Sequence, residues 1–202
     1  MRLLRRQEST GAPRWLLPFL IGFIAGVLLW NMGTGNWAKE SGLLDEYTLG
    51  RVSNMELNHN AFFFYVLKQR VTLLWLLAII GSTFLGIYLL YAYVLWLGLA
   101  AGVLLSTAVI RYGVKGILLI VAGCLPQYIC YVPALIIMLN LSYGLCVKLY
   151  YPAKDKNFDG SKKQMLMQYL ILFAGIHLVV IIGTVFESYV NPIFVTKLLK
   201  IF

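Results

Sequence analysis

The sequence predicts an all-α, polytopic membrane helix bundle of five transmembrane helices, the fourth broken or kinked at Pro126 and Pro133. Two observations carry this. Of 202 residues, 60% are hydrophobic and 12% charged, against roughly a quarter charged in an ordinary soluble domain. A soluble fold of this size still exposes about 30% of its unfolded surface, and there is too little polar side chain here to cover it. The second observation is that the charges lie between uncharged runs long enough to cross a bilayer. The bilayer is therefore the solvent for most of the chain, and residues 1–202 form a single integral membrane domain.

The elements follow in order. A basic segment, MRLLRRQESTGAPR, leads into about 18 apolar residues, which set a first span at 15–32. A cleaved secretory signal is the rival reading, but the run is longer than an h-region and no A-x-A-like site follows. Residues 34–70 form a polar outer loop, and its end, HNAFFFYVLKQR, reads as a helical run-in to the next span rather than a segment at head-group level. From Val71 to Ile110 no residue is charged, and one helix of that length would reach about 60 Å. It must fold back into spans at 71–90 and 94–110, with the turn between Leu90 and Leu97, where Tyr91, Tyr93 and Trp96 cluster as interface residues do.

The fourth span, 116–147, contains Pro126 and Pro133. Each removes a backbone donor and disfavours helix in the residue before it, so a kink or break is expected. Backbone irregular at that depth survives inside a bundle or beside a water cavity. Lys148, Lys154, Lys156, Lys162 and Lys163 make 148–164 the most basic loop, which the positive-inside rule places in the cytoplasm. The last span is 165–187. Five spans with a cytoplasmic N-terminus leave the 34–70 loop and the C-terminus outside. A six-span reading, with 116–147 crossing twice, would move the lysine-rich loop to the outer side.

The net charge of +9 sits beside the spans rather than in one patch, which suits topology and anionic lipid rather than nucleic acid. Cys124, Cys130 and Cys146 lie inside apolar stretches and read as free thiols. The pairs Gly22/Gly26, Gly81/Gly86 and Gly98/Gly102 read as close packing within the bundle rather than as a homodimer seam, although a homo-oligomer is compatible with them. Gln127 and Asn140 read as hydrogen-bonding ties between helices, and the sequon at Asn140 as a chance match.

The ionisable residues read as intramembrane are His177, near the middle of the last span, and Glu187 at its outer end. A proton relay would need a chain of such groups, so a structural hydrogen-bonding role is the plainer reading. His59, beside Glu56, reads as interfacial rather than as a base. No phosphate-binding loop, H-E-x-x-H, G-x-S-x-G or metal-ligand spacing occurs. The sequence therefore does not read as an enzyme and predicts no cofactor or metal. The proline-interrupted span admits one alternative, a small transporter or permease-like subunit with His177, Glu187 or Gln127 lining a mid-membrane cavity.

Several segments together resemble the stage II sporulation protein M family of endospore-forming Firmicutes. They are an arginine before a span holding GSTFLGI (Gly81 to Ile87), GVKG (Gly113 to Gly116), LPQYICYVP (Leu125 to Pro133) and FESYVNP (Phe186 to Pro192). The likeness covers most of the chain from about Ala61 onward. Broader relatives carry a histidine and a glutamate where this chain has Gln127 and Tyr131, so an ion pathway through those positions transfers poorly. The resemblance implies a non-catalytic scaffold for engulfment in the mother-cell membrane at the sporulation septum. It would anchor two peptidoglycan hydrolases, stage II sporulation proteins D and P. Pro126, Gln127, Pro133, His177, Glu187, Tyr189 and Pro192 are the candidate structural or partner-contact residues.

Overall fold

The computed structural model describes residues 11–32, 58–151 and 162–193. Five helices follow one another: α1 (Gly11–Met32), α2 (His59–Gly81), α3 (Gly86–Tyr112), α4 (Val114–Tyr150) and α5 (Lys162–Val185), the last running into a π-helical turn, Phe186–Val190. Each contains a stretch long and apolar enough to cross a membrane, giving five candidate spans. The described part of the chain is an all-helical polytopic bundle, and its free cysteines are Cys124, Cys130 and Cys146.

Helix α2 begins at His59, with Asn58 Oδ1 accepting from Ala61 N at 3.3 Å as a cap. The aromatic run-in is therefore part of the spanning helix, and Lys68 and Arg70 lie within it. This moves the next turn. It falls at Ser82–Leu85 rather than between Leu90 and Leu97, and Tyr91, Tyr93 and Trp96 sit inside α3. Counting spans from the last charged residue assumes that charges lie outside the spans, and Arg70 lies within the candidate span His59–Gly81. The turn is built for its place. Ser82 Oγ and Thr83 Oγ1 each donate to the carbonyl three residues back, both at 2.7 Å, Cys146 Sγ donates to Thr83 O, and Tyr150 OH donates to Ser82 O at 2.8 Å. These bonds add to the backbone N–H groups that already cap the end of α2, and they hold the turn against α4.

Helix α4 takes the kinked rather than the broken form. It runs unbroken from Val114 to Tyr150 through both prolines, so 116–147 crosses once and the six-span alternative falls. Between Gly116, which abuts Ala108, and Cys146, which abuts Gly86, α4 uses 30 residues where α3 uses 22. At 1.5 Å per residue that is about 45 Å beside about 33 Å. α4 cannot run straight alongside α3, and the stretch with the extra length holds Pro126 and Pro133. Proline bends a helix without ending it when neighbouring helices and polar groups compensate the lost donor. One residue, Gly113, links α3 to α4 at φ 59 and ψ −137, a backbone conformation open to glycine.

Contacts fix the helix directions. α1 runs parallel to α3, with Phe19, Phe23 and Val27 against Gly98 and Gly102. α2 runs parallel to α4, since Gly81 meets Ser142, and α5 is antiparallel to both. The core lies between α2, α3, α4 and α5 around Leu77, Leu90 and Met138, all fully buried. α1 joins it at one end, where Trp15 Nε1 donates to Asn140 Oδ1 at 2.8 Å, its ring lies 5.1 Å from Tyr91, and Arg14 sits over the Tyr143 ring.

The α1–α3 seam is a double glycine clasp. A Cβ at Gly22 or Gly26 would strike Leu95 O or Leu99 O, and one at Gly98 or Gly102 would strike Phe19 O or Phe23 O, all within 2.4 Å. Two G-x-x-x-G segments thus face each other with their backbones in contact, the intramolecular packing their spacing suggested.

Candidate functional site: a charged junction of three helices

Arg70 projects from the middle of α2 toward the end where Met32, Asn58 and Ile193 lie. Its Nη2 donates to both oxygens of Glu187, at 3.0 and 3.1 Å, across 117 residues of sequence. The side chains are 31% and 14% exposed, so the pair is largely screened from its surroundings. Tyr131 on α4 completes it. Its hydroxyl donates to Glu187 Oε2 at 2.7 Å and lies 3.3 Å from Thr184 Oγ1, while the Arg70 guanidinium sits 4.6 Å above its ring. Gly183 makes the room, because a Cβ there would stand 2.6 Å from the Tyr131 ring.

The π-helical turn places the carboxylate. Phe186–Val190 inserts a wide turn at the end of α5, and such turns are found frequently at functional sites because they reset which face the following residues occupy. Beyond it, Asn191 Nδ2 donates to Gln127 Oε1 at 2.8 Å, tying the turn to α4. On its other side Tyr189 OH donates to Asn60 Oδ1 at 2.7 Å, the Tyr189 ring stacks on His59, and His59 Nδ1 lies 3.0 Å from Ser188 O. Three buried atoms here have no partner among the described residues: Arg70 Nε, Ser188 Oγ and Asn191 Oδ1.

Of the residues singled out in the sequence, Gln127 and Glu187 come together in this junction, Tyr189 flanks it, Pro126 and Pro133 bracket its α4 wall, and Pro192 follows the π turn. His177 does not belong to it. It lies ten residues from Glu187, about 15 Å along the helix, with Nδ1 2.8 Å from Phe173 O and its ring against Phe173 and Trp75. Of the three residues named for the permease-like alternative, Gln127 and Glu187 therefore share one junction and His177 stands apart. Asn140 ties α1 to α4, as a polar helix-to-helix link. Glu56 lies outside the described residues.

Sequence reading missed Arg70 as a site residue and gave Tyr131 only as a departure from broader relatives. The available signal for Arg70 was electrostatic: one arginine bordering an apolar run and one glutamate in the last span invite pairing in a medium of low dielectric. Chemically the junction is a clasp. Both carboxylate oxygens are engaged, the guanidinium is engaged, and the phenol bridges them. Among the described residues no three of His, Cys, Asp and Glu gather as a metal site.

The family model described as stage II sporulation protein M matches residues 15–192. That stretch begins at the Trp15 anchor, takes in the five candidate spans but for Arg14 and Ile193, and ends at the proline after the π turn. No curated protein and no solved structure matches the chain.

Proposed function

The chain belongs to the stage II sporulation protein M family, and on that premise we propose that it is a non-catalytic scaffold of engulfment that anchors peptidoglycan hydrolases at the septum. It is a sporulation-related, multi-pass membrane protein. The finer reading names stage II sporulation proteins D and P as partners, the mother-cell membrane as the location, a cytoplasmic N-terminus and an external C-terminus.

One observation supports a scaffold most directly. The charged groups at the junction are spent on one another, Arg70 and Tyr131 on Glu187, so the arrangement holds helices rather than presenting a free acid or base. The junction also ties the start of α2 to the π turn at the end of α5. Helix ends held to one another in this way suit an anchor for external enzymes.

The test is co-expression of the chain with both hydrolases, followed by mild detergent extraction and affinity capture. Recovery of a ternary complex is expected, with less of it from Glu187→Ala at equal membrane insertion. Repeated failure to recover either hydrolase with the wild-type chain overturns the reading.

A further inference from the structure

The outward face of α2 differs from the other outward faces of the bundle. Its exposed residues include Ala61, Tyr65, Lys68, Thr72, Trp75 and Ile79, spaced four and three residues apart in alternation, the seam along which one helix packs against another. On α1 the outward residues are hydrocarbon: Leu16, Leu20, Ile21, Ile24, Leu28. On α2 the middle of the face is polar, with exposed Lys68 and Gln69 one turn from Thr72.

Depth makes this costly. Lys68 stands nine residues from His59 and thirteen from Gly81, about 14 and 20 Å from the two ends of the helix. A lysine stem leaning toward the nearer end shortens that distance without removing the ammonium from the hydrocarbon region. No described residue partners the Lys68 ammonium or the Gln69 amide. Thr72 Oγ1 donates to Lys68 O, which leaves both side chains free. Beside this face, packed on Trp75, is His177, whose Nε2 also has no partner among the described residues.

The geometry points to a docking surface on α2, centred on Lys68 and Gln69, for one transmembrane helix of a different protein carrying a carboxylate or amide at matching depth. Charge complementarity selects that occupant. A cation facing hydrocarbon is relieved by an acid on the neighbouring helix, and an amide by any hydrogen-bonding side chain. Among the described residues a second copy offers no spare acid, because Glu187 is the one acidic residue there and Arg70 and Tyr131 already hold it. The surface deepens the scaffold reading and rests on it, by giving the hydrolase complex a contact inside the bilayer.

The test uses the full chain with the two co-expressed hydrolases. A benzophenone amino acid placed at Thr72 or Leu76, and at Leu20 or Ile24 on α1 as controls, is photolysed in intact membranes. Adducts to a hydrolase are expected from 72 and 76 and none from 20 and 24. Lys68→Leu, which suits lipid better than the native residue, is expected to insert normally and lower hydrolase recovery about tenfold, the loss of one intramembrane polar contact. Lys68→Arg is expected to retain it. Unchanged recovery with Lys68→Leu, lipid adducts alone, or adducts to a second copy of the chain each overturn the inference while leaving the scaffold reading in place. Failure of the wild-type chain to recover either hydrolase overturns both.

Discussion

Helices α1 and α3 meet over four glycines with backbone against backbone, whereas α2, α4 and α5 meet around an arginine, a glutamate and a tyrosine. The first seam is close because nothing stands between the helices, and in lipid that closeness is itself the attraction, through van der Waals contact. It has no tolerance for volume. The second holds helices apart by the width of side chains and joins them by directed bonds. It tolerates volume better than it tolerates the loss of a partner, since removing one charge strands the other.

That contrast orders the expected effects. Gly98→Leu is the most damaging, because the new side chain meets the Phe19 carbonyl and α1 must move away. A loss of about 3 kcal/mol is expected, read by SDS-induced unfolding in detergent and followed by tryptophan fluorescence. Glu187→Ala comes next, at about 2 kcal/mol, below the cost of breaking a fully buried pair because Arg70 is partly exposed. Adding Arg70→Ala to Glu187→Ala should recover part of that loss in a double-mutant cycle. Tyr131→Phe keeps the ring over which Arg70 sits and removes one bond to a carboxylate, about 1.5 kcal/mol. Tyr150→Phe is the mildest, about 0.5 kcal/mol, since its bond to Ser82 O is exposed. If Glu187→Ala proved worse than Gly98→Leu, the charged junction rather than the glycine seam would be the less forgiving region.

The sequence was legible where the physics is local. Span number follows from apolar length, and the glycine spacings predict close packing because any helix with two small residues four apart presents a flat strip. The turn at Ser82–Leu85 was not legible from charge. Arg70 lies inside a span because Glu187 neutralises it from 117 residues away, and no window of sequence contains both. The unbroken α4 has a similar cause: proline's preference for ending a helix is local, while the contacts α4 makes between and beside Pro126 and Pro133 come from Gly183 and Asn191, more than fifty residues on. Tyr131 was visible only as an unusual residue, because its value depends on a ring position that Gly183 permits.

The glycine seam also sets a schedule. α1 is made first, and the glycines it fits, Gly98 and Gly102, are made 66 and 70 residues after Met32, a wait of about 3–14 s at ribosomal rates of roughly 5–20 residues per second. Through that interval the strip at Gly22 and Gly26 faces bare lipid, as open to a neighbouring protein's helix as to its own. α2 offers little shelter, because its main contacts are with α3, α4 and α5. The first helix thus crosses before the helix it fits exists, and crowding at the site of insertion should lower the yield of folded chain.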